Sequence, residues 1–193
     1  MRVVLVRHGE VEERYLKCYN GHNDIALSKK GKEESRALAE KLKNENFDAI
    51  YCSDLRRTRE TLEAFAHAKN VVYTEALREK SWGKHEGLTF DAIIAQGELT
   101  YTDFLSWIAS LDGEPYEEYL QRIEQFFLEF LPAQNHENIL IITHAGVIRS
   151  LIHIVQKMPL EEAFGIAIPY SAAVVYYPFG KESACFDFSF YSS

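Results

Sequence analysis

Apolar residues follow two different periods along the chain. Short apolar runs alternate with stretches in which apolar residues recur at three- and four-residue steps. The runs at residues 2–6, 47–52, 71–73 and 139–143 predict buried strands. The stepped stretches predict amphipathic helices, and the clearest of them follows residue 115, where we interpret the aromatic stripe as core. Its apolar positions are Tyr116, Tyr119, Leu120, Ile123, Phe126, Phe127 and Phe130.

Capping residues mark where the helices begin. Ser28 is the predicted N-cap of the first helix, and Asp54 is the predicted N-cap of the second, whose apolar stripe extends to Ala66. The segment 89–132 is helical in pattern and is broken at residues 112–115. We therefore expect a helical insertion around residues 89–132.

Two further strands are predicted at the end of the chain. Residues 172–177 and 185–190 read as an antiparallel pair joined by a turn at residues 178–180. Strands that alternate with helices predict a three-layer α/β/α sandwich with a mainly parallel sheet, and the last pair adds an antiparallel edge. A length of 193 residues predicts a single domain over residues 1–193.

The charge balance narrows the class of partner. The formal net charge is −8 and the isoelectric point lies near 5.4, which argues against nucleic acid or an anionic membrane as a partner. A small anionic substrate stays open, because a local arginine cluster can oppose the global sign.

Cysteine usage and hydropathy indicate the compartment. The three cysteines are scattered, form no CxxC pair and have no zinc-site spacing. No apolar stretch has membrane-spanning length, and the first apolar run is too short for a signal-peptide core. We expect a cytoplasmic protein without a metal site.

Histidines follow two of the predicted strands. His8 comes directly after the run at 2–6 and Arg7, and His144 comes directly after the run at 139–143. Each is followed within two residues by a glycine. Ligands of open α/β sheets bind beyond the carboxyl ends of the strands, so we expect both histidines at one rim of the sheet.

Five motifs extend this pattern along the chain. They are Arg7-His8-Gly9-Glu10; Gly21 with Asp24, Leu27-Ser28 and Gly31; Ser53 with Leu55, Arg57-Thr58 and Thr61; Leu77 with Glu79, Gly83 and Glu86-Gly87; and Thr143-His144-Ala145-Gly146-Val147-Ile148-Arg149. Their order and spacing over residues 2 to about 156 resemble the histidine phosphatase superfamily, also called phosphoglycerate-mutase-like. The resemblance implies a phosphoryl-transfer enzyme with the three-layer fold and with neither cofactor nor metal.

The resemblance also implies a role for each catalytic residue. His8 would attack phosphorus and become phosphohistidine. Arg7 and Arg57 would bind the phosphoryl oxygens, for which forked guanidinium groups are suited, and a charged His144 would be a further donor. Glu79 would protonate the departing alcohol and later take a proton from water.

The predicted substrate-binding residues lie mainly in loops. They are Arg14, Asn20, Gly21, His22, Ala145 and Gly146. Backbone amides at residues 20–21 and 145–146 are expected to form anion-binding nests. His22 either contacts substrate or caps a turn. Arg14 stands where family members commonly have Asn, and it either contacts substrate with its charge or turns outward.

We expect a phosphatase that acts on a small-molecule phosphate ester. The loop at residues 19–22 and the spacing from Arg7 to Gly31 resemble α-ribazole phosphatases, which would imply α-ribazole phosphate as substrate and a place in cobalamin biosynthesis. Three alternatives stay open: mutase-type transfer between phosphoglycerates, a phosphohistidine-protein phosphatase, and a phosphate-binding protein without catalysis. The oligomeric state is also open, with a homodimer as one option.

Overall fold

The computed structural model of the protein describes residues 1–65, 70–178 and 185–191. The predictions that concern Ala66 and the turn residues 179 and 180 lie outside this part of the chain. Within it, six strands form one sheet. The strands are β1 (Arg2–Arg7), β2 (Ala49–Ser53), β3 (Val71–Thr74), β4 (Asn138–Thr143), β5 (Ala173–Tyr177) and β6 (Cys185–Tyr191).

Helices connect most of the strands. They are α1 (Lys29–Lys41), α2 (Arg56–Leu62), α3 (Phe90–Ala95), α4 (Phe104–Ser110), α5 (Tyr116–Glu124), α6 (Leu131–Ala133), α7 (Ala145–Gln156) and α8 (Leu160–Gly165). A π-helical stretch, Gln125–Phe130, joins α5 to α6, and short 3₁₀ turns lie at Glu13–Tyr15, Glu75–Leu77 and Gly83–His85. The sequence pattern did not predict α8. No helix in the described ranges is both long enough and apolar enough to cross a membrane.

The sheet has the order β3-β2-β4-β1-β5-β6. Strands β3, β2, β4 and β1 are parallel, whereas β5 and β6 add two antiparallel strands at one edge. The predicted fold class, a three-layer α/β/α sandwich with an antiparallel C-terminal edge, is therefore confirmed.

The β1–β4 pairing places the two motif histidines side by side. Arg7 lies opposite Thr143, so the next residues, His8 and His144, leave adjacent parallel strands at the same rim. The backbone N–H of His8 donates to Thr143 O at 3.0 Å. The sequence prediction that both histidines share one rim is thus confirmed.

Both faces of the sheet are covered by helices. Val3 and Leu5 of β1 belong to one buried cluster with residues of α5 and α7, whereas Val4 and Val6 belong to a second cluster with residues of α1 and α2. Burial on both faces explains why β1 and β4 read as continuous apolar runs. Tyr119 is fully buried among the core residues, as the aromatic stripe predicted.

Helix capping follows the sequence at α1 but not at α2. Asp54 is not the N-cap of α2, because its carboxylate accepts two hydrogen bonds from Arg78, at 2.7 and 2.5 Å. The first amide of α2, Arg56 N, instead donates to the Asp24 carboxylate at 2.6 Å. A charged partner distant in sequence has displaced the local cap that the pattern predicted.

Ser28→Ala should lower the free energy of unfolding by about 1 kcal/mol, because the Ser28 hydroxyl caps α1. Its oxygen accepts from Gly31 N at 2.9 Å and its O–H donates to Glu10 at 3.0 Å. Urea unfolding measures the loss, and Ser28→Thr, which keeps the hydroxyl, should retain most of the stability. An alanine variant as stable as the parent would contradict the capping role.

Candidate active site

A pocket of about 210 Å³ lies beyond the carboxyl ends of β1 and β4. It is found where open α/β sheets commonly bind ligands. Seven of the eleven residues that the sequence singled out line it. They are Arg7, His8, Asn20, Arg57, Glu79, Ala145 and Gly146.

His8 is held as a neutral imidazole. Its Nδ1 lies 2.7 Å from Gly9 O, so Nδ1 carries the proton and donates it, which leaves the Nε2 lone pair free. Burial lowers the pKa of His8 well below 6.5, and the positive charges of Arg57 and Arg7 lower it further. A neutral imidazole with an unprotonated Nε2 is the form required of a nucleophile.

Arg57 is almost completely buried, although it belongs to a run of charged residues on α2. Its Nη1 donates to Asn23 O at 2.8 Å, and its Nη2 donates to Asn20 O and Gly21 O at 2.7 and 2.8 Å. Burial lowers the pKa of Arg57 to about 10, so the guanidinium is charged at neutral pH. Arg57 therefore brings a positive charge to the pocket and also fixes the loop after β1.

His144 lies behind this guanidinium. Arg57 Nε donates to His144 Nδ1 at 3.3 Å, and His144 Nε2 lies 2.9 Å from Ser53 Oγ. A ring nitrogen that accepts from arginine carries no proton, and burial together with Arg57 and His8 lowers the pKa of His144 well below 6.5. The structure therefore gives a neutral His144, whereas the sequence predicted a charged one. His144 does not line the pocket and instead orients Arg57.

Arg7 contributes a further donor to the pocket. Its guanidinium lies 3.8 Å from the centre of the Tyr170 ring, and its Nη1 donates to Ile168 O. The Nε atom is buried and has no hydrogen-bond partner among the described residues. A buried donor of this kind is costly unless an acceptor binds there, so it points to an anion in the pocket.

Glu79 is fixed at the N-terminus of α7. Its carboxylate accepts from Gly146 N at 3.0 Å and from Tyr119 OH at 2.9 Å. A Cβ added at Gly146 would lie 2.1 Å from Glu79 Oε1, so only glycine allows this approach. The backbone carbonyl of Glu79 also accepts from Arg122 Nη2 at 3.1 Å.

Sequence reasoning did not find Tyr119 and Arg122 as parts of the site. Tyr119 belongs to the aromatic stripe that we interpret as core from the sequence pattern, and Arg122 lies three positions later on the same helix. Nothing in their spacing relates either residue to Glu79. Burial raises the pKa of Tyr119 well above 10, with the nearby Glu79 carboxylate as the next cause, so its hydroxyl stays a donor.

Four predicted residues do not line the pocket. His144 is behind Arg57, as described above. The Arg14 side chain is 73% exposed and pairs with Glu12 at 3.4 Å, so it turns outward and the prediction that it binds substrate is not supported. His22 Nε2 lies 3.1 Å from Glu79 O, and a Cβ at Gly21 would lie 2.2 Å from Lys80 O. His22 and Gly21 therefore pack the loop after β1 against the loop that carries Glu79 and Lys80.

The expected backbone nests are also different in the structure. At residues 20–21 the carbonyl groups, and not the amides, face inward and accept from Arg57. The Gly146 amide is occupied by Glu79. Positive charge in the pocket comes instead from side chains: among the described residues that line it, Arg7, Arg57, Lys80 and Arg149 are cationic and Glu79 is the one carboxylate.

No group of three or more His, Cys, Asp or Glu residues in the described ranges has the geometry to hold a metal ion. All three cysteines are free thiols. The ionisable groups that line the pocket include a histidine, a carboxylate and several guanidinium groups.

A neutral histidine at the rim of a parallel sheet, beside one buried arginine, one partly buried arginine and a carboxylate, is typical of a phosphoryl-transfer protein of the α/β class. The chain belongs to the histidine phosphatase superfamily (branch 1), which it matches over residues 3–185. The predicted family and the predicted enzyme class, a phosphatase of this superfamily, are confirmed.

Three relatives illustrate the breadth of the family. The chain is 28% identical over 166 residues to an adenosylcobalamin/alpha-ribazole phosphatase of Escherichia coli, covering 83% of this chain and 82% of the relative. It is 30% identical over 188 residues to a 2,3-bisphosphoglycerate-dependent phosphoglycerate mutase of Parvibaculum lavamentivorans, covering 90% and 89%. The crystal structure of phosphoserine phosphatase in complex with 3-phosphoglyceric acid from Entamoeba histolytica has a TM-score of 0.80 at 25% identity and covers 100% and 97%.

The free energy of unfolding should decrease as the pH is lowered below about 6.5, because the unfolded chain then binds protons at His8 and His144 while the folded chain does not. Both folded pKa values are lowered, so the folded state is favoured above the unfolded pKa and loses stability as pH drops. Each histidine contributes a slope of up to about 1.4 kcal/mol per pH unit.

Urea unfolding of the parent and of His8→Asn between pH 7 and pH 5 tests this pH dependence. The asparagine variant, which does not titrate at this position, should show a shallower slope. Parallel slopes for the two proteins would contradict a neutral, buried His8.

Gly146→Ala should lower kcat by about 100-fold, because the added methyl group would displace the Glu79 carboxylate. The matched control is Gly165→Ala on α8, where an added Cβ meets nothing within 4 Å. Steady-state kinetics on a phosphate ester compare the two variants. Equal activities would show that the close approach of Gly146 to Glu79 is unimportant.

Proposed function

We propose that the protein is a metal-independent phosphomonoesterase that hydrolyses a small phosphate ester through a phosphohistidine at His8. The observation that carries the proposal is the neutral His8 with its free Nε2, in a pocket where the buried Nε of Arg7 has no hydrogen-bond partner in the part of the chain that the structure describes. The membership of the superfamily supports the same chemistry.

The first step is attack of His8 Nε2 on phosphorus. A P–N bond forms, the ester P–O bond breaks, and the electron pair of that bond goes to the departing alkoxide. Arg7 and Arg57 stabilise the charge on the non-bridging oxygens. The bond from Nδ1–H to Gly9 O stabilises the positive imidazole that forms during attack.

Glu79 serves as the proton carrier in both halves of the reaction. In its protonated form Glu79 gives a proton to the alkoxide and becomes a carboxylate. It then takes a proton from water, whose oxygen attacks phosphorus and displaces His8, so that inorganic phosphate is released and Glu79 is protonated again. Tyr119 and the Gly146 amide hold the carboxylate in place for both steps.

The substrate is a small ester. A pocket of about 210 Å³ is below the ~300–1,000 Å³ of sites for drug-sized ligands. α-Ribazole phosphate is the candidate from the loop at residues 19–22 and from the E. coli relative. Phosphoserine is a second candidate, from the E. histolytica structure. A cytoplasmic location and a homodimer stay predictions.

A mutase is the alternative function, and the 30% identity to the P. lavamentivorans phosphoglycerate mutase favours it. A mutase returns the phosphoryl group from histidine to a second hydroxyl of the substrate instead of to water. Interconversion of 2- and 3-phosphoglycerate, followed beside phosphate release, distinguishes the two reactions.

His8→Ala should abolish phosphate release and the acid-labile phosphoenzyme. The assay uses α-ribazole phosphate, phosphoserine, 3-phosphoglycerate and p-nitrophenyl phosphate, with chelator present. Phosphate release that persists in His8→Ala would rule out the proposed nucleophile, and loss of activity with chelator would rule out metal independence.

Glu79→Gln tests the proton carrier. It should lower kcat on alkyl esters by about 10²–10⁴-fold. The loss should be smaller for formation of the phosphoenzyme from p-nitrophenyl phosphate, since p-nitrophenolate leaves without a proton. The same loss on both kinds of ester in that step would contradict the role of Glu79 as acid.

A further inference from the structure

Arg149 is a pocket cation that the phosphoryl chemistry does not use. It lies on α7, three residues after Gly146, and is half-buried in the pocket wall. Residues three and four apart on a helix lie on the same face, so Arg149 follows Ala145 and Gly146 along the side of α7 that faces the pocket.

The contacts of Arg149 involve its Nε and the face of its guanidinium, and its terminal nitrogens Nη1 and Nη2 have no hydrogen-bond partner among the described residues. Its Nε donates to Ile166 O at 2.9 Å, and its guanidinium lies 5.8 Å from the centre of the Phe164 ring. No residue in the described ranges accepts a hydrogen bond from its two terminal nitrogens or forms an ion pair with it. A planar guanidinium with two free terminal groups suits bidentate binding of a carboxylate.

Lys80, the other additional cation of the pocket, is differently placed. Its ammonium donates to Ser81 O at 2.9 Å and lies 4.3 Å from the centre of the Trp82 ring. Four carboxylates, Glu114, Asp112, Glu79 and Glu86, act on its charge. The electrostatic partners of Arg149 include one carboxylate, Glu79, so its charge is the less compensated of the two.

Arg149 lies close to the groups assigned to the phosphoryl chemistry. It lines the same pocket as His8 and Arg7, its charge acts on Arg7, and it follows Gly146 by about one helical turn. A ligand that reaches both His8 and Arg149 within this small pocket is expected to be short, with two or three carbon atoms between its ester oxygen and its carboxylate. The pocket of about 210 Å³ has room for such a molecule.

We propose that Arg149 binds a carboxylate of the substrate, so that the preferred substrates are small phosphate esters with a carboxylate two or three carbon atoms from the ester oxygen. The inference rests on the proposed function for its kinetic part only, because binding of the carboxylate does not require hydrolysis. It favours an ester of the phosphoserine type over α-ribazole phosphate, which has no carboxylate.

The test compares O-phosphoserine with O-phosphoethanolamine, which differ by the carboxylate alone. In the parent enzyme kcat/KM should be about 10- to 100-fold higher for phosphoserine. Arg149→Gln should remove this preference through a higher KM for phosphoserine, and should leave phosphoethanolamine within about threefold. Arg149→Lys, which keeps the charge without the fork, should retain part of the preference.

A control variant and a binding measurement complete the test. The first is Arg36→Gln, the same substitution at an exposed position on α1, which should change neither substrate. The second is calorimetric measurement of both dissociation constants in the His8→Asn background, with and without Arg149→Gln, where neither ligand is consumed. If the parent hydrolyses nothing, the proposed function fails while the dissociation constants still test Arg149.

Two outcomes would overturn the inference. One is a parent enzyme that has the same kcat/KM, and the same dissociation constant in the His8→Asn background, for phosphoserine and phosphoethanolamine. The other is a loss in Arg149→Gln that is the same for phosphoserine and phosphoethanolamine, since that would assign Arg149 to the phosphoryl group or to the shape of the pocket.

Discussion

The buried guanidinium of Arg57 is the interaction on which the rest of the site depends. It joins three parts of the chain: the loop after β1 through carbonyl oxygens, the end of β4 through His144, and α2, to which it belongs. A charge so deeply buried is stable only while every partner is in place, because each lost acceptor leaves a desolvated donor. Burial lowers the pKa of His8 and of His144, and the Arg57 charge lowers both pKa values further, so both histidines are neutral.

In the proposed mechanism the helical insertion positions the acid, and its residues Tyr116 and Tyr119 also line the pocket. Tyr119 holds the Glu79 carboxylate, and Arg122 holds both the Glu79 carbonyl and the Glu114 carboxylate. Glu114 in turn accepts from the amide of Ser81. Glu79 therefore lies in a network in which two donors, Tyr119 and Arg122, come from α5, so the stability of the insertion and the position of Glu79 are linked.

Local patterns in the sequence were sufficient for the sheet and for the residues at its rim. β1 and β4 are buried on both faces, so their apolar runs are unambiguous, and the residue after each strand must lie at the rim. The Asp54 cap and the outward Arg14 were not predictable, because each depends on a charged partner, Arg78 or Glu12, that competes with the local role.

The charge of His144 was not predictable for a different reason. A strand-end histidine near phosphate suggests a cation, but burial lowers the pKa of His144, and Arg57, which lies 87 positions earlier in the chain, lowers it further and donates to its ring. The involvement of Tyr119 likewise depends on packing between α5 and α7, which periodicity does not report. Short α8 has no long apolar period and left no clear signal.

The segment between α8 and β5 has a consequence for how this protein can vary. Ile166 O holds Arg149, Ile168 O holds Arg7, Tyr170 stacks on Arg7, and Ser171 N donates to His8 O. Connecting segments usually tolerate insertions and deletions. Here a change of one residue in length would shift the supports of several pocket residues together, so homologues that keep this site should keep the length of this segment even where its side chains differ.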